Sequence, residues 1–556
     1  PFGATAVVAE DPAPEKPELT TGYSDLSDRP LGQRDGLSDR EARSPELQAD
    51  IEASVLPRIR LTPPIQSVDG GDPWNISLNG EWKFRNRMPD GFDGTIAGVD
   101  SWDTMTVPGS PAASGFEIME REFGKPVAWA RTFDVPSEWR GRRIVLHFGT
   151  LDGLSRIYIN GEIVGSTEFA FLPAEFDVTD ALSDTETQEL VVTLERSYPT
   201  HWHNREFGGM GRDVTLMALP EVNLARFHVQ TRFDGAYENA TVEVLAAVAN
   251  QSSQPAGGTL AFEIDGMANQ SVDLPTIAPG ETHHLTMQVP VKSPKHWHPE
   301  TPNLYDATLR LEPQSGSTMT AHRRMGFVQV ENDDGVLLVN GEPFKIKANN
   351  YHTTWLGQDH SPPPEVLRSD VKLFVDTNHS AMRPWPTPGP AYMDACDEFG
   401  LFTTIEVPTL AQIYSDGPLK DKGDNRAMLG VYERTAATVV EYYRSHPSVL
   451  VWGLGNESPY YEYFERAAFG IAKEDPTRMV FFGSDFRIGI DQPGLTFNDD
   501  HYPRHGRIGP SDSSVVGGDW ERFPTDKPIM FTEWCHVHWN NWSEKAFDPG
   551  VFEYWQ

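Results

Sequence analysis

Residues 448–458 read Ser-Val-Leu-Val-Trp-Gly-Leu-Gly-Asn-Glu-Ser. Val449, Leu450, Val451 and Trp452 form a continuous apolar run, the pattern of a parallel strand covered on both faces. The run closes in small and polar residues: Gly453, Gly455, Asn456 and Glu457. This predicts a strand of a (β/α)8 TIM barrel, where reacting groups stand at the C-terminal ends of strands. Taken alone, the stretch also fits an ordinary strand end with a capping Asn and a solvated Glu. A second stretch narrows the choice. Pro528–Trp534, Pro-Ile-Met-Phe-Thr-Glu-Trp, is another apolar strand ending in a carboxylate, Glu533. Two strand-end carboxylates in one barrel are what retaining cleavage of a glycosidic bond requires. One serves as acid and then base, the other as nucleophile, with the carboxyls roughly 5–5.5 Å apart.

With these residues in view, VWGLGNES and FTEW resemble the acid/base and nucleophile segments of glycoside hydrolase family 2, which contains β-galactosidases, β-glucuronidases and β-mannosidases. The resemblance implies Glu457 as acid/base and Glu533 as nucleophile. It also implies that Asn456 hydrogen-bonds the sugar 2-hydroxyl, that His352 of ANNYH lies near the sugar, and that Arg383 of SAMRPWP and Tyr502 of DDHYP are the donors that keep Glu533 ionised, all four being counted in the substrate-binding set. Glu406, at the end of the third barrel strand, matches an acidic position of the family. Its readings are sugar contact or a structural partner in the barrel mouth. Trp534 and His536, directly after the nucleophile, complete the candidate substrate-binding set. The chain departs from the family at strand two. Many members read Arg-Thr-Ser-His-Tyr-Pro, whereas this chain has Arg383-Pro-Trp-Pro-Thr-Pro. The usual His is absent, and Trp385 offers an apolar ring for a sugar face. That leaves the mechanism in place and the identity of the sugar open.

Outward from these strands, residues 332–556 read as the catalytic barrel. Its predicted strands are Phe344–Asn349, His379–Met382, Leu401–Glu406, Val449–Gly453, Met479–Gly483, Leu495–Asn498 and Ile529–Thr532, with helices such as Pro364–Asp376, Ala391–Phe399 and Tyr432–Arg444 between them. An eighth strand is expected beyond Gln556, in a longer native polypeptide. Residues 72–220 show short strands with Gly and Asn turns, above all Asn160-Gly161 between Tyr158-Ile159 and Glu162-Ile163-Val164, and predict a jelly-roll sandwich. LNGEWKF, YINGEIVG and GGMGRDVTL resemble the sugar-binding-type N-terminal domain of the same family. Residues 221–331 predict an immunoglobulin-like β-sandwich. Residues 1–71, rich in Pro, Asp, Ser and Glu, read mostly as an extended lead-in, with one helix within Asp39–Val55. The aromatic and basic loop from Thr200 to Phe207 either reaches over the site or packs on the surface.

The 556 residues carry 46 Lys and Arg against 81 Asp and Glu, a formal net charge of −35. That balance excludes nucleic acid and anionic membrane as partners, since both need a basic face. Cys396 and Cys535 cannot make a disulfide framework and are expected as buried free thiols. No apolar run approaches the roughly 18 residues of a membrane span. Phe2–Ala9 has the character of the tail of a cleaved signal peptide, and a periplasmic or secreted location is expected. The His-x-His pairs at 201/203, 296/298 and 536/538 lack a further ligand at a recognisable spacing, so no metal and no cofactor is expected. The expected partner is an oligosaccharide or polysaccharide, with self-association into a homo-oligomer left open. The resulting expectation is a retaining exo-β-glycosidase acting on terminal β-galactosides first and β-glucuronides next. The rival is a non-catalytic carbohydrate-binding protein of the same architecture.

Overall fold

The computed structural model describes residues 18–19, 44–69, 73–88, 92–116, 126–353, 355, 361–408, 426–456, 460–483, 492–499, 525–530 and 532, apart from 93, 97, 112, 168–170, 197, 201–204 and 208. The expected leader tail at Phe2–Ala9 and Cys535 lie outside the described residues.

The first sandwich packs a six-stranded sheet on a four-stranded one. Asn79-Gly80 breaks the first alternating run into two strands, Asn75–Ser77 and Gly80–Arg85, which enter different sheets. Trp82, Phe84, Trp129 and Phe148 from both sheets meet in one core. The Asn160-Gly161 turn has positive φ at both residues, 51° and 84°, and joins Leu154–Ile159 to Glu162–Thr167 as a tight hairpin. Tyr198–Thr200 and Arg205–Phe207 pair as a short antiparallel ribbon in the aromatic, basic loop. The second sandwich has a three-stranded and a five-stranded sheet closed on Phe227, Val244, Phe262 and Leu309.

The lead-in segment is packed at its C-terminal end. Ser44 caps a helix over Pro45–Glu52, with Pro in its first turn. Arg466 and Lys473 of the barrel reach back to Asp50 and to the Glu52 carbonyl. Leu56, Ile59 and Leu61 are buried among the barrel helices. Thr62 donates to Glu175 of the first sandwich from both its amide and its hydroxyl, each at 2.9 Å. Ile65–Val68 then pairs antiparallel with Met319–Met325 as the edge strand of the second sandwich. One short segment thus touches all three units.

The barrel elements are β1 (Ala348–His352), α1 (Pro364–Asp376), β2 (Ala381–Trp385), α2 (Pro390–Phe399), β3 (Phe402–Glu406), α3 (Arg426–Tyr443), β4 (Val449–Asn456), α4 (Glu462–Glu474), β5 (Met479–Gly483), β6 (Asn498–Asp499) and β7 (Ile529–Met530). β1 to β5 form one parallel sheet in chain order, and β6 pairs parallel with β7. β4 and β5 are apolar runs buried on both faces, as a covered parallel sheet requires, whereas β1, Ala-Asn-Asn-Tyr-His, is half exposed. β1 begins four residues later than the sequence predicts. Phe344 instead bonds back to Leu337 and packs with Val328, Val330, Val339, Phe402, Leu450 and Phe481, closing the barrel floor. Cys396 is a buried free thiol on α2. No helix among the described residues is long and apolar enough to cross a membrane.

Candidate active site

β2, β3 and β4 end side by side, and their last polar residues converge. Arg383 on β2 donates from Nε to Glu406 Oε1 at the end of β3. From Nη2 it donates to Asn456 Oδ1 at the end of β4, at 2.8 Å. Only about a tenth of the Arg383 and Glu406 side chains is exposed. A charge pair so shielded from water needs full hydrogen bonding to persist, and the fork of the guanidinium supplies it.

Two glycines make this cluster sterically possible. A Cβ on Gly453 of β4 would stand 2.4 Å from Glu406 Cγ and 2.8 Å from the Phe481 ring. A Cβ on Gly483, at the end of β5, would meet Arg383 Nη2 and Asn456 Oδ1 at 3.1 Å each. The small residues at these strand ends are therefore the space the polar cluster occupies.

One wall of the mouth is aromatic. The His352 and Trp385 ring centroids lie 5.4 Å apart, and Phe171 of the first sandwich stands edge-on to Trp385 at 6.1 Å. Phe171 is fixed from behind: its amide donates to the buried Asp152 at 2.5 Å, and its carbonyl accepts from Arg212 at 2.9 Å. The same Arg212 donates to the Thr387 carbonyl at 2.6 Å, binding the loop after β2 to the sandwich. Sequence reasoning missed Phe171 and Arg212. GGMGRDV marked the domain, but nothing in it says that its Arg reaches the barrel. Thr353 completes the wall, its amide donating to the Trp385 carbonyl at 2.8 Å.

Of the sequence-predicted residues, Arg383, Glu406 and Asn456 come into contact, and His352 and Trp385 stand together beside them. Glu457, Glu533, Tyr502, Trp534 and His536 lie outside the described residues. Glu457 follows Asn456 directly in the chain, and Glu533 comes three residues after Met530, the last residue of β7. Trp452 and Tyr460, on either side of Asn456 in the chain, are held by partners of their own. Trp452 is fully buried on the helix side of β4, where its Nε1 donates to Asp475 at 3.0 Å. Tyr460 packs between Phe464 and Phe482 and donates to the Pro493 carbonyl at 3.0 Å.

His296 and His298 do not converge: His296 bonds the Tyr237 carbonyl at 2.9 Å, and His298 Nδ1 accepts from the Glu300 amide. Asp394, Asp397 and His446 bring donor atoms within 4.8 Å of one another. This group sits at the opposite end of β4. Asp397 there accepts from Ser448 Oγ at 2.5 Å and pairs with His446 at 2.6 Å, tying α2 to the start of the strand.

Three family models cover most of the chain. "Glycosyl hydrolases family 2, TIM barrel domain" matches residues 328–543, "Glycosyl hydrolases family 2" residues 222–327, and "Glycosyl hydrolase 2 galactose-binding domain-like" residues 122–226. A β-galactosidase of Priestia megaterium is 25% identical over 530 residues, covering 86% of this chain and 49% of the relative. One from Alteromonas mediterranea is 27% identical over 526 residues, covering 86% and 48%. The chain thus spans about half the length of the curated relatives it matches. Among solved structures, a Ruminococcus gnavus β-glucuronidase superposes with TM-score 0.66 at 18% identity, over 85% of this chain and 84% of that one. A Bacteroides uniformis β-glucuronidase does so with TM-score 0.63 at 21% identity, over 73% and 52%. These likenesses show a shared fold: a galactose-binding-like sandwich, an immunoglobulin-like sandwich and a TIM barrel.

Proposed function

We propose, from the premise that this chain belongs to glycoside hydrolase family 2, that its barrel is the catalytic part of a retaining exo-β-glycosidase. It removes terminal β-linked sugars from oligosaccharides or polysaccharides. The observation that carries this reading is the Arg383 bridge between Glu406 and Asn456 at the ends of three adjacent parallel strands. Glu457 protonates the leaving oxygen while Glu533 attacks the anomeric carbon and forms a glycosyl-enzyme. Glu457, now a carboxylate, takes a proton from the water that releases the sugar. Asn456 offers its oxygen to Arg383, which directs its amide NH2 toward the sugar 2-hydroxyl, a contact that strengthens in the transition state.

β-Galactosides are the preferred substrates in this reading and β-glucuronides come next. The curated relatives are named β-galactosidases. The Arg383 cation is committed to Glu406 and Asn456, which argues against it as the partner of a uronate. A panel of aryl β-glycosides, with the product anomer followed by NMR, tests the proposal. The β-anomer should form first. Appearance of the α-anomer first would mean inversion and would remove Glu533 as nucleophile.

A further inference from the structure

Trp355 stands on the loop leaving β1 and is 46% exposed. The other large hydrophobic side chains open to solvent among the described residues are Val55, Ile163, Val336 and Leu373, so Trp355 is the aromatic one of that set. An indole held in water forgoes about 25 cal/mol for every Å² of apolar surface left uncovered. Its position says what would cover it. Thr353, two residues earlier, is tied to the end of β2 by its amide bond to the Trp385 carbonyl and by its hydroxyl, which donates to the Pro386 carbonyl at 3.3 Å. Two residues of chain reach at most about 7 Å, which keeps Trp355 on the rim of the same mouth. His352, Trp385 and Phe171 form the inner aromatic wall, and the half-exposed Trp355 stands two residues along the chain from Thr353, which is bonded to that wall.

An exo-acting glycosidase holds the terminal ring at the closed end, beside Arg383, Glu406 and Asn456. The remainder of the substrate leaves through the mouth, past the rim. We infer that Trp355 is the stacking platform for the first sugar on the leaving-group side, and that the substrate is an oligosaccharide whose second ring presents an apolar face there. The inference rests on the glycosidase reading of the barrel end.

The test compares the full-length protein with Trp355→Ala and Trp355→Phe on two substrates sharing a terminal sugar. One is β-D-galactosyl fluoride, whose leaving group is a single atom. The other is β-1,4-galactotetraose. Should the protein prefer glucuronides, glucuronyl fluoride and a hyaluronan tetrasaccharide ending in glucuronate replace them. Trp355→Ala should lower kcat/KM for the tetrasaccharide about tenfold, chiefly through KM, and leave the fluoride within about twofold; Trp355→Phe should retain most of the tetrasaccharide activity. Equal losses on both substrates would make the ring a structural element, and no loss on either would mean that it does not meet the leaving group. Either outcome overturns the inference while leaving the glycosidase reading standing. A parent protein that turns over none of these substrates overturns both.

Discussion

Arg383 and Asn456 are joined across the barrel mouth, Nη2 to Oδ1 at 2.8 Å, although 73 residues separate them in the chain. The guanidinium also holds Glu406, so one side chain sets the positions of an anion and an amide on two neighbouring strands. Arg383→Met should leave the Glu406 carboxylate shielded and unpaired, at a cost of about 3 kcal/mol. Arg383→Lys keeps the charge without the planar fork and should lower kcat/KM on the order of 100-fold, by freeing the Asn456 amide. Urea denaturation and steady-state kinetics read the two effects separately. In the double variant Arg383→Met/Glu406→Gln, the stability losses should fall well short of the sum of the singles. Simple additivity would mean that the bridge does not hold the mouth together.

Gly453→Ala tests the space behind Glu406. The added methyl would lie 2.4 Å from Glu406 Cγ, with Phe481 at 2.8 Å on its other side. One of the two must move, and Phe481 is fixed within the barrel core. Destabilisation of about 1–3 kcal/mol is expected, with a loss of activity that Glu406→Asp, one methylene shorter, should partly restore in combination. Unchanged thermal stability and activity in Gly453→Ala would show that the cluster does not depend on this contact.

The barrel was legible because strands such as β4 are continuous apolar runs, with helical segments such as Pro364–Asp376 between them. What the runs could not show is which face each side chain takes. In a strand buried on both sides, alternation carries no inside-outside signal. The run Val449–Trp452 therefore gave no sign that Trp452 points to the helix layer and Asp475. Phe344 was placed at the start of β1, yet it belongs to the floor of the barrel, where only tertiary packing puts it. The packed end of the lead-in was hidden by composition. Leu56, Ile59 and Leu61 are sparse among prolines and charges, and only tertiary contact buries them. Arg383, Glu406 and Asn456 came from motif resemblance, and their mutual bonds required the register of three strands.

The two carboxylates have separable roles. Glu533→Gln should abolish turnover of every substrate, because no nucleophile remains. Glu457→Ala should impair substrates with poor leaving groups most. Azide should partly rescue it with activated aryl glycosides, giving a β-glycosyl azide, because the glycosyl-enzyme still forms and a small anion needs no general base. If the two variants responded alike to leaving group and to azide, the assignment of acid/base and nucleophile would be wrong.

The seam between the second sandwich and the barrel should weaken in mild acid through one residue. His228 is buried there, its Nε2 against Glu441 at 2.8 Å and its Nδ1 against Ser445 Oγ at 2.9 Å. Burial is the largest influence on the ring and, with the Arg323 and Arg226 charges nearby, outweighs the pull of Glu441, so its pKa falls from 6.5 to about 3. Burial pushes Glu441 up, but Arg226, which binds it through Nε and Nη2 at 3.2 and 2.9 Å, holds it well below the usual carboxylate range. At neutral pH the ring is therefore neutral and donates to a carboxylate. The sign follows from proton counting. Between about pH 6.5 and 3 the unfolded chain binds a proton at residue 228 that the folded chain refuses, so stability falls as pH falls through that window. From pH 6.5 to 5 the loss from this residue is about 2 kcal/mol, at about 1.4 kcal/mol per unit. Glu441 adds its own loss only further down, as pH falls below the ordinary carboxylate range. His228→Gln, which can donate and accept but does not titrate, should flatten the upper part of the profile. Thermal unfolding of parent and variant at half-unit steps from pH 7.5 to 4.5 measures this. The two curves should converge as pH drops to 5, and parallel curves would show that His228 is not what makes the seam acid-sensitive.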